Sequence, residues 1–135
     1  LRTELSQPEK NQKLENLINR FELEKVAHTQ ASLVSGGQRR RTEIARALAN
    51  EPKYILLDEP FAGIDPKSIR EIKKLIIQVQ QIDDVGILIT DHNVKETLPL
   101  CNQAYVIHKG HILAEGSPQE LKNNKSVIDN YLGED

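Results

Sequence analysis

Two apolar runs, Tyr54–Ile55–Leu56–Leu57 and Ile87–Leu88–Ile89–Thr90, bracket a segment of helical period and constrain the fold more than any other feature of the chain. Neither alternates with polar residues, as suits strands buried on both faces of a parallel sheet flanked by helices. Between them, Asp65–Pro66 reads as an N-cap followed by proline at the first helical position. Ile69, Ile72, Leu75, Ile76 and Val79 then share one face of a helix predicted from Pro66 to about Gln81. Asp83–Asp84–Val85–Gly86 turns the chain into the second strand. The result is a βαβ unit with a right-handed crossover, which brings both strand ends to one edge of the sheet. Open parallel sheets place their ligands at that edge, and the residues arriving there are Asp58–Glu59 and Asp91–His92. Two carboxylates directly after a buried strand need a metal, hydrogen-bond donors or water; a solvated acidic turn is the plainer alternative.

Upstream, Ser35–Gly36–Gly37–Gln38 reads as a phosphate-binding helix start made without a lysine. Ser35 can accept from the free N–H groups of the helix it opens, and Gln38 can reach back to complete a capping box. Gly36 and Gly37 carry no side chains, so an anion can approach those N–H groups at the positive end of the helix dipole. A Ser-x-x-Gln cap beside glycines also occurs as an ordinary helix start. The helix continues to Asn50, with Ile44, Ala45 and Leu48 on the buried side, and Pro52 stops it. Arg39, Arg40 and Arg41 are either its solvated face or contacts for phosphate or an acidic partner.

The remaining elements are local. Pro8 is expected to open a helix over 9–21, with Leu14, Leu17, Ile18 and Phe21 on one face, and the polar stretch 28–32 leads as a loop to Ser35. Asn93 caps a short helix through Leu98. Ala104–His108 and His111–Ala114 form a hairpin joined at Lys109–Gly110, expected at the far edge of the sheet with His108 and His111 exposed. Ser117–Pro118–Gln119–Glu120 is a second capping box, opening a helix to about Asn123, and a last helix over 126–132 ends at Gly133.

Composition narrows the classes. With 135 residues, 38% hydrophobic, the chain can bury one modest core. A formal net charge of −2 implies no general attraction to nucleic acid, and the single Cys101, read as a buried small hydrophobe, permits no internal disulfide. No apolar run approaches the ~20 residues that span a bilayer, so no direct membrane insertion is expected. The chain contains no methionine, even at Leu1, and is expected to be a fragment.

Together, Val34–Ser35–Gly36–Gly37–Gln38, then Tyr54 to Glu59, then Ala62–Gly63–Ile64–Asp65, then His92 resemble the signature motif, acidic strand, D-loop and switch histidine of ABC-type ATPases, in order and separation. Val34 stands where the family usually has leucine. The wording of 58–66, of 90–94 and of the ending Tyr131–Asp135 is most similar to the ATPase subunits of lipopolysaccharide-export transporters, with those of branched-chain amino-acid importers as close relatives. No G-x-x-x-x-G-K-[ST] P-loop occurs. The resemblance therefore implies the C-terminal portion of a P-loop NTPase fold: residues 1–50 as part of the helical signature subdomain, and 51–135 as the C-terminal part of the catalytic core.

The roles it implies are specific. Asp58 would hold Mg²⁺ through water, Glu59 would orient and deprotonate the water attacking the γ-phosphate of ATP, and His92 would contact that phosphate. Ser35, Gly36, Gly37 and Gln38 would close on ATP held by the P-loop of a second subunit in a homodimer, with Asp65 linking the two sites. Transmembrane transporter subunits would carry the motion, with the ATPase peripheral on the cytoplasmic face of the inner membrane. A soluble ABC ATPase of translation or DNA repair, and a non-enzymatic docking fragment, are the competing classes.

Overall fold

In the computed structural model, which describes residues 5–132, helix α1 (Gln7–Arg20) opens at Ser6 rather than at Pro8. Glu9 reaches back to accept from Ser6 N at 2.7 Å, a capping box that holds the start ahead of the proline. Its predicted apolar face is graded: Phe21 is fully buried and Leu17 and Ile18 partly so, whereas Leu14 is exposed. The chain then turns through a short 3₁₀ segment, Ala31–Leu33, into α2 (Gly36–Leu48), where Ile44, Ala45 and Leu48 are buried as expected. These elements, with β1 (Tyr54–Asp58) and α3 (Pro66–Asp83), belong to a first compact unit that runs to Leu88; a second begins at Ile89.

β1 and β2 (Gly86–Thr90), joined by α3, form the predicted parallel pair. Burial differs from the expectation. In β1, Ile55 and Leu57 are buried while Tyr54 and Leu56 are 75% and 73% exposed, so only one face of the strand is covered. Leu88 in β2 is likewise exposed. The apolar run marks a strand suited to burial on both sides, but burial of the second face depends on an element that sequence alone cannot place.

The α3 reading holds closely. Asp65 Oδ1 accepts from Lys67 N at 3.1 Å and Ser68 N at 3.0 Å, Ile72, Leu75, Ile76 and Val79 are buried, and Asp84 ends the helix in the left-handed conformation at φ 52°. α2 packs directly against α3, and Gly37 sits at a close approach: a Cβ there would lie 2.6 Å from Ser68 Oγ and 2.7 Å from Ser68 Cβ. Two arginines tie the unit further, Arg20 forking onto Asp83 at 2.6 and 2.9 Å and Arg41 reaching Glu22 at 3.0 Å and Glu71 at 3.4 Å.

In the second unit, Asn93 caps α4 (Val94–Thr97), which runs into a 3₁₀ turn over Leu98–Leu100 at Pro99. Cys101 is half-buried, its thiol donating to Thr97 O at 3.4 Å, and burial raises its pKa. β3 (Ala104–His108) and β4 (His111–Gly116) pair antiparallel across Lys109–Gly110, whose φ values of 49° and 79° suit a tight hairpin. They form a separate two-stranded sheet rather than the edge of the first. His111 is exposed as expected, but His108 is not. Tyr131 Oη donates to Ile107 O at 2.8 Å and so can only accept from His108 Nδ1, at 3.0 Å, which partly buries the imidazole and assigns its Nδ1 proton. The Ser117–Glu120 capping box opens α5 (Pro118–Lys122), and α6 (Lys125–Val127) passes into a π-helical turn over Ile128–Leu132. Leu98, Val106, Leu121 and Val127 form this unit's core. Leu1, Gly133 and the rest of the closing motif lie outside the described residues.

The Gly37 contact makes a direct prediction. Gly37→Ala should destabilise the protein by about 1–3 kcal/mol in urea denaturation, the usual cost of overpacking. Adding Ser68→Gly should recover most of it, whereas adding Ser68→Ala should not, because the clash is with Ser68 Cβ as well as Oγ.

Candidate functional site

The start of α2 presents donors and few acceptors. Gln38 N donates to Ser35 Oγ at 3.2 Å, and Gln38 Oε1 accepts from Ser35 N at 2.9 Å. The capping box thereby occupies a hydroxyl lone pair and the amide oxygen, leaving the Ser35 O–H and the Gln38 amide N–H groups to donate. The N–H groups of the first helical turn point the same way and lack intrahelical acceptors. Ser35 and Gly36 are exposed, so an anion can reach them. Gly37 differs from the expectation that both glycines serve approach: it is buried against Ser68, and its missing side chain serves helix packing.

Asp65 sits exposed at the start of α3. A hydrogen bond from the Ser68 hydroxyl, then that from Ser68 N, hold its carboxyl below the usual range. Ser68 thus touches both the cap of α3 and the first turn of α2.

Asp58 ends β1 and Glu59 follows it, both exposed. Glu59 has φ 43°. The other non-glycine residues with positive φ, Glu22, Glu51, Asp84 and Lys109, lie just past helix ends or in the hairpin turn, where that conformation is ordinary. Glu59 instead follows a strand and precedes Pro60, a position biased toward extended backbone. Its carbonyl accepts from Ala62 N at 3.2 Å and from Arg40 Nη2 at 3.3 Å. Arg40 is in turn held by Glu43 at 2.8 Å. Of the arginine run, then, Arg40 and Arg41 are engaged inside the chain, not arrayed toward an outside phosphate.

Ser35, Gly36, Gly37, Gln38, Asp58, Glu59 and Asp65 all lie in the first unit; His92 lies in the second. The His92 side chain is 75% exposed, with Nδ1 3.8 Å from the nearly buried Asp91, whose Oδ1 accepts from Asn93 N at 2.7 Å. A cleft of about 360 Å³ lined by Lys13, Asn16, Arg20, Glu51 and Asp83, among others, contains none of these residues. Among the described residues no group of three or more His, Cys, Asp or Glu side chains could enclose a metal. A divalent cation at Asp58 therefore fits only as one shared with phosphate oxygens and water, the usual mode for Mg²⁺. Sequence reasoning singled out Arg40 but not its acceptor, and assigned no role to Ser68. The spacing of Arg40 and Glu43 signals a helical pair, but nothing local signals the contact with Glu59.

Comparison with known proteins agrees with the geometry. The ABC transporter family matches residues 1–62, and the family described as branched-chain amino acid ATP-binding cassette transporter matches residues 111–135. The lipopolysaccharide export system ATP-binding protein LptB of Escherichia coli K12 is 46% identical over all 135 residues. The chain spans 56% of that relative's length. Among solved structures, cbiO1 of Clostridium perfringens, part of the cbiONQ transporter complex, superposes with a TM-score of 0.82 at 31% identity, over 95% of this chain and 51% of that one. The ATP-binding cassette MJ0796, in a dimeric post-hydrolysis state bound to ADP and Pi, gives a TM-score of 0.73 at 27% identity, over 87% of this chain and 51% of that one. No helix among the described residues is long and apolar enough to cross a membrane. A signature-type helix start and an acidic strand end within one unit, with this similarity running the length of the chain, show that it belongs to the ATP-binding domains of ABC transporters.

Proposed function

We propose that this sequence forms the signature-bearing and catalytic-carboxylate part of an ATP-hydrolysing subunit that powers lipopolysaccharide export. The observation that carries the reading is that one compact unit holds both halves such a shared site needs, a helix start with outward donors and two carboxylates at a strand end, for pairing with the complementary halves of a second copy. Residues 1–50 belong to the helical subdomain and 51–135 to the catalytic core. The export assignment rests on the whole-length similarity to LptB. The match of residues 111–135 to the branched-chain amino acid transporter family favours an importer as the second reading.

In this reading Glu59 would take a proton from water as that water's oxygen bonds to the terminal phosphorus and the bond to the departing ADP oxygen breaks, Asp58 would hold Mg²⁺ through water, and His92 would donate to the terminal phosphate. Mg²⁺, when bound, offsets charge on the phosphate oxygens. Ser35, Gly36, Gly37 and Gln38 supply donors to nucleotide held by another copy, toward which the Ser35 hydroxyl and the Gln38 amide are left free to donate. Asp65 links the two sites of the dimer. That dimer works beside transmembrane subunits, at the cytoplasmic face of the membrane. The exposed Tyr54 and Leu56 face is apolar enough to be covered by the further chain that the longer relatives possess.

The reading makes separable predictions. In the intact ATPase, Glu59→Gln should lower turnover by at least about a hundredfold and accumulate an ATP-bound dimer by size-exclusion chromatography. Ser35→Arg should leave nucleotide binding to the separated subunit intact and abolish that dimer. Unchanged turnover in Glu59→Gln would remove it from the role of base. The 135-residue chain alone should hydrolyse no ATP, and titration calorimetry that finds micromolar Mg-ATP binding would contradict this account.

A further inference from the structure

We propose that Arg40 is a positioning residue for Glu59, tying the carboxylate that acts on water to the helix that carries the signature motif. The inference rests on the assignment of Glu59 as the base made above. Glu59 is held at φ 43° directly before Pro60, where neither the strand nor the proline favours that backbone. A residue so placed stays there only if its surroundings specify it. Two donors reach its carbonyl oxygen: Ala62 N at 3.2 Å, from the turn itself, and Arg40 Nη2 at 3.3 Å, from α2, nineteen positions earlier in the chain. Pro60 is fully buried and Phe61 nearly so, which anchors the turn in the core.

Arg40 suits this task better than a lysine. Its planar fork lets one nitrogen bind Glu43 Oε2 at 2.8 Å while the other reaches the Glu59 carbonyl, so the guanidinium is oriented before it acts. Glu43 lies one helical turn further along α2, so the pair moves with that helix. Because Ser35 and Gln38 begin the same helix, a shift of its start on phosphate binding can reach the Glu59 peptide through the Arg40 side chain. Arg40 does not touch water or nucleotide in this account; it sets the direction of the Glu59 carboxylate.

The test is a set of variants in the intact ATPase. Arg40→Met, which keeps an apolar stem and removes the donors, should lower kcat about ten- to hundredfold, the scale of a misplaced catalytic group. The KM for ATP should stay within about twofold, since Arg40 is assigned no nucleotide contact. Arg40→Lys should recover part of the loss, and Glu43→Gln, which frees the guanidinium without removing it, should give a smaller loss of the same kind. In a Glu59→Gln background, Arg40→Met should cost little more, because the group it positions is already disabled. An unchanged kcat in both Arg40→Met and Glu43→Gln would overturn the proposal, as would the same fractional loss with and without Glu59. If Glu59→Gln itself left turnover unchanged, the base assignment would fail first and this proposal with it. A loss in Glu59→Gln but none in either Arg40→Met or Glu43→Gln would leave that assignment standing and remove only the positioning role.

Discussion

The approach of α2 to α3 at Gly37 is the constraint on which the rest of the first unit depends. With Ser68 2.6–2.7 Å from where a Cβ would stand, any side chain at that position would push the helices apart. The consequence is spatial: the donor-rich start of α2 and the Asp65 cap of α3 are held to one another through Ser68, which bonds the Asp65 carboxylate and fills the space above Gly37. Arg40, one turn along α2, then reaches the carbonyl of Glu59. Signature motif, D-loop and acidic strand end are thus parts of one packed arrangement rather than separate motifs.

Much of this was legible because it is chemically local. Asp65–Pro66, Ser35 with Gln38, and Ser117 with Glu120 are caps whose partners lie within three residues, and each forms as read. The hairpin at Lys109–Gly110 was legible for the same reason, since Gly110 adopts positive φ without strain. The start of α1 shows the limit within that class: Pro8 drew attention from Ser6 and Glu9, which carry the stronger signal. Features that depend on distant contacts were not legible. The apolar run of β1 could not reveal that Tyr54 and Leu56 would be uncovered here, nor could the sequence near His108 reveal Tyr131 as its partner. Gly37 was read as room for an anion, and only the crossing of two helices shows that its space is taken by Ser68. Arg40 was left between solvent and phosphate, while its acceptor is a main-chain carbonyl nineteen residues away.

The chain spans about half the length of the curated relatives it matches. In the proposed function its residues supply donors toward phosphate and carboxylates toward water and metal. The capping box sharpens that reading, because it occupies one lone pair each of Ser35 Oγ and Gln38 Oε1 and leaves their donors outward. A helix start of that kind is complementary to an anion that must come from elsewhere.

The central claim is therefore that each working site combines Glu59 of one copy with Ser35 of another, and mixed dimers of the intact ATPase test it most directly. One dimer carries Ser35→Arg on one subunit and Glu59→Gln on the other; a second carries both substitutions on the same subunit beside an unmodified partner. If sites are shared, the first dimer keeps one unaltered site and a substantial part of its ATP turnover, while the second has a defect in both sites and loses most of it. The reverse ranking would contradict the account, because it would place Ser35 and Glu59 of a single chain in the same site.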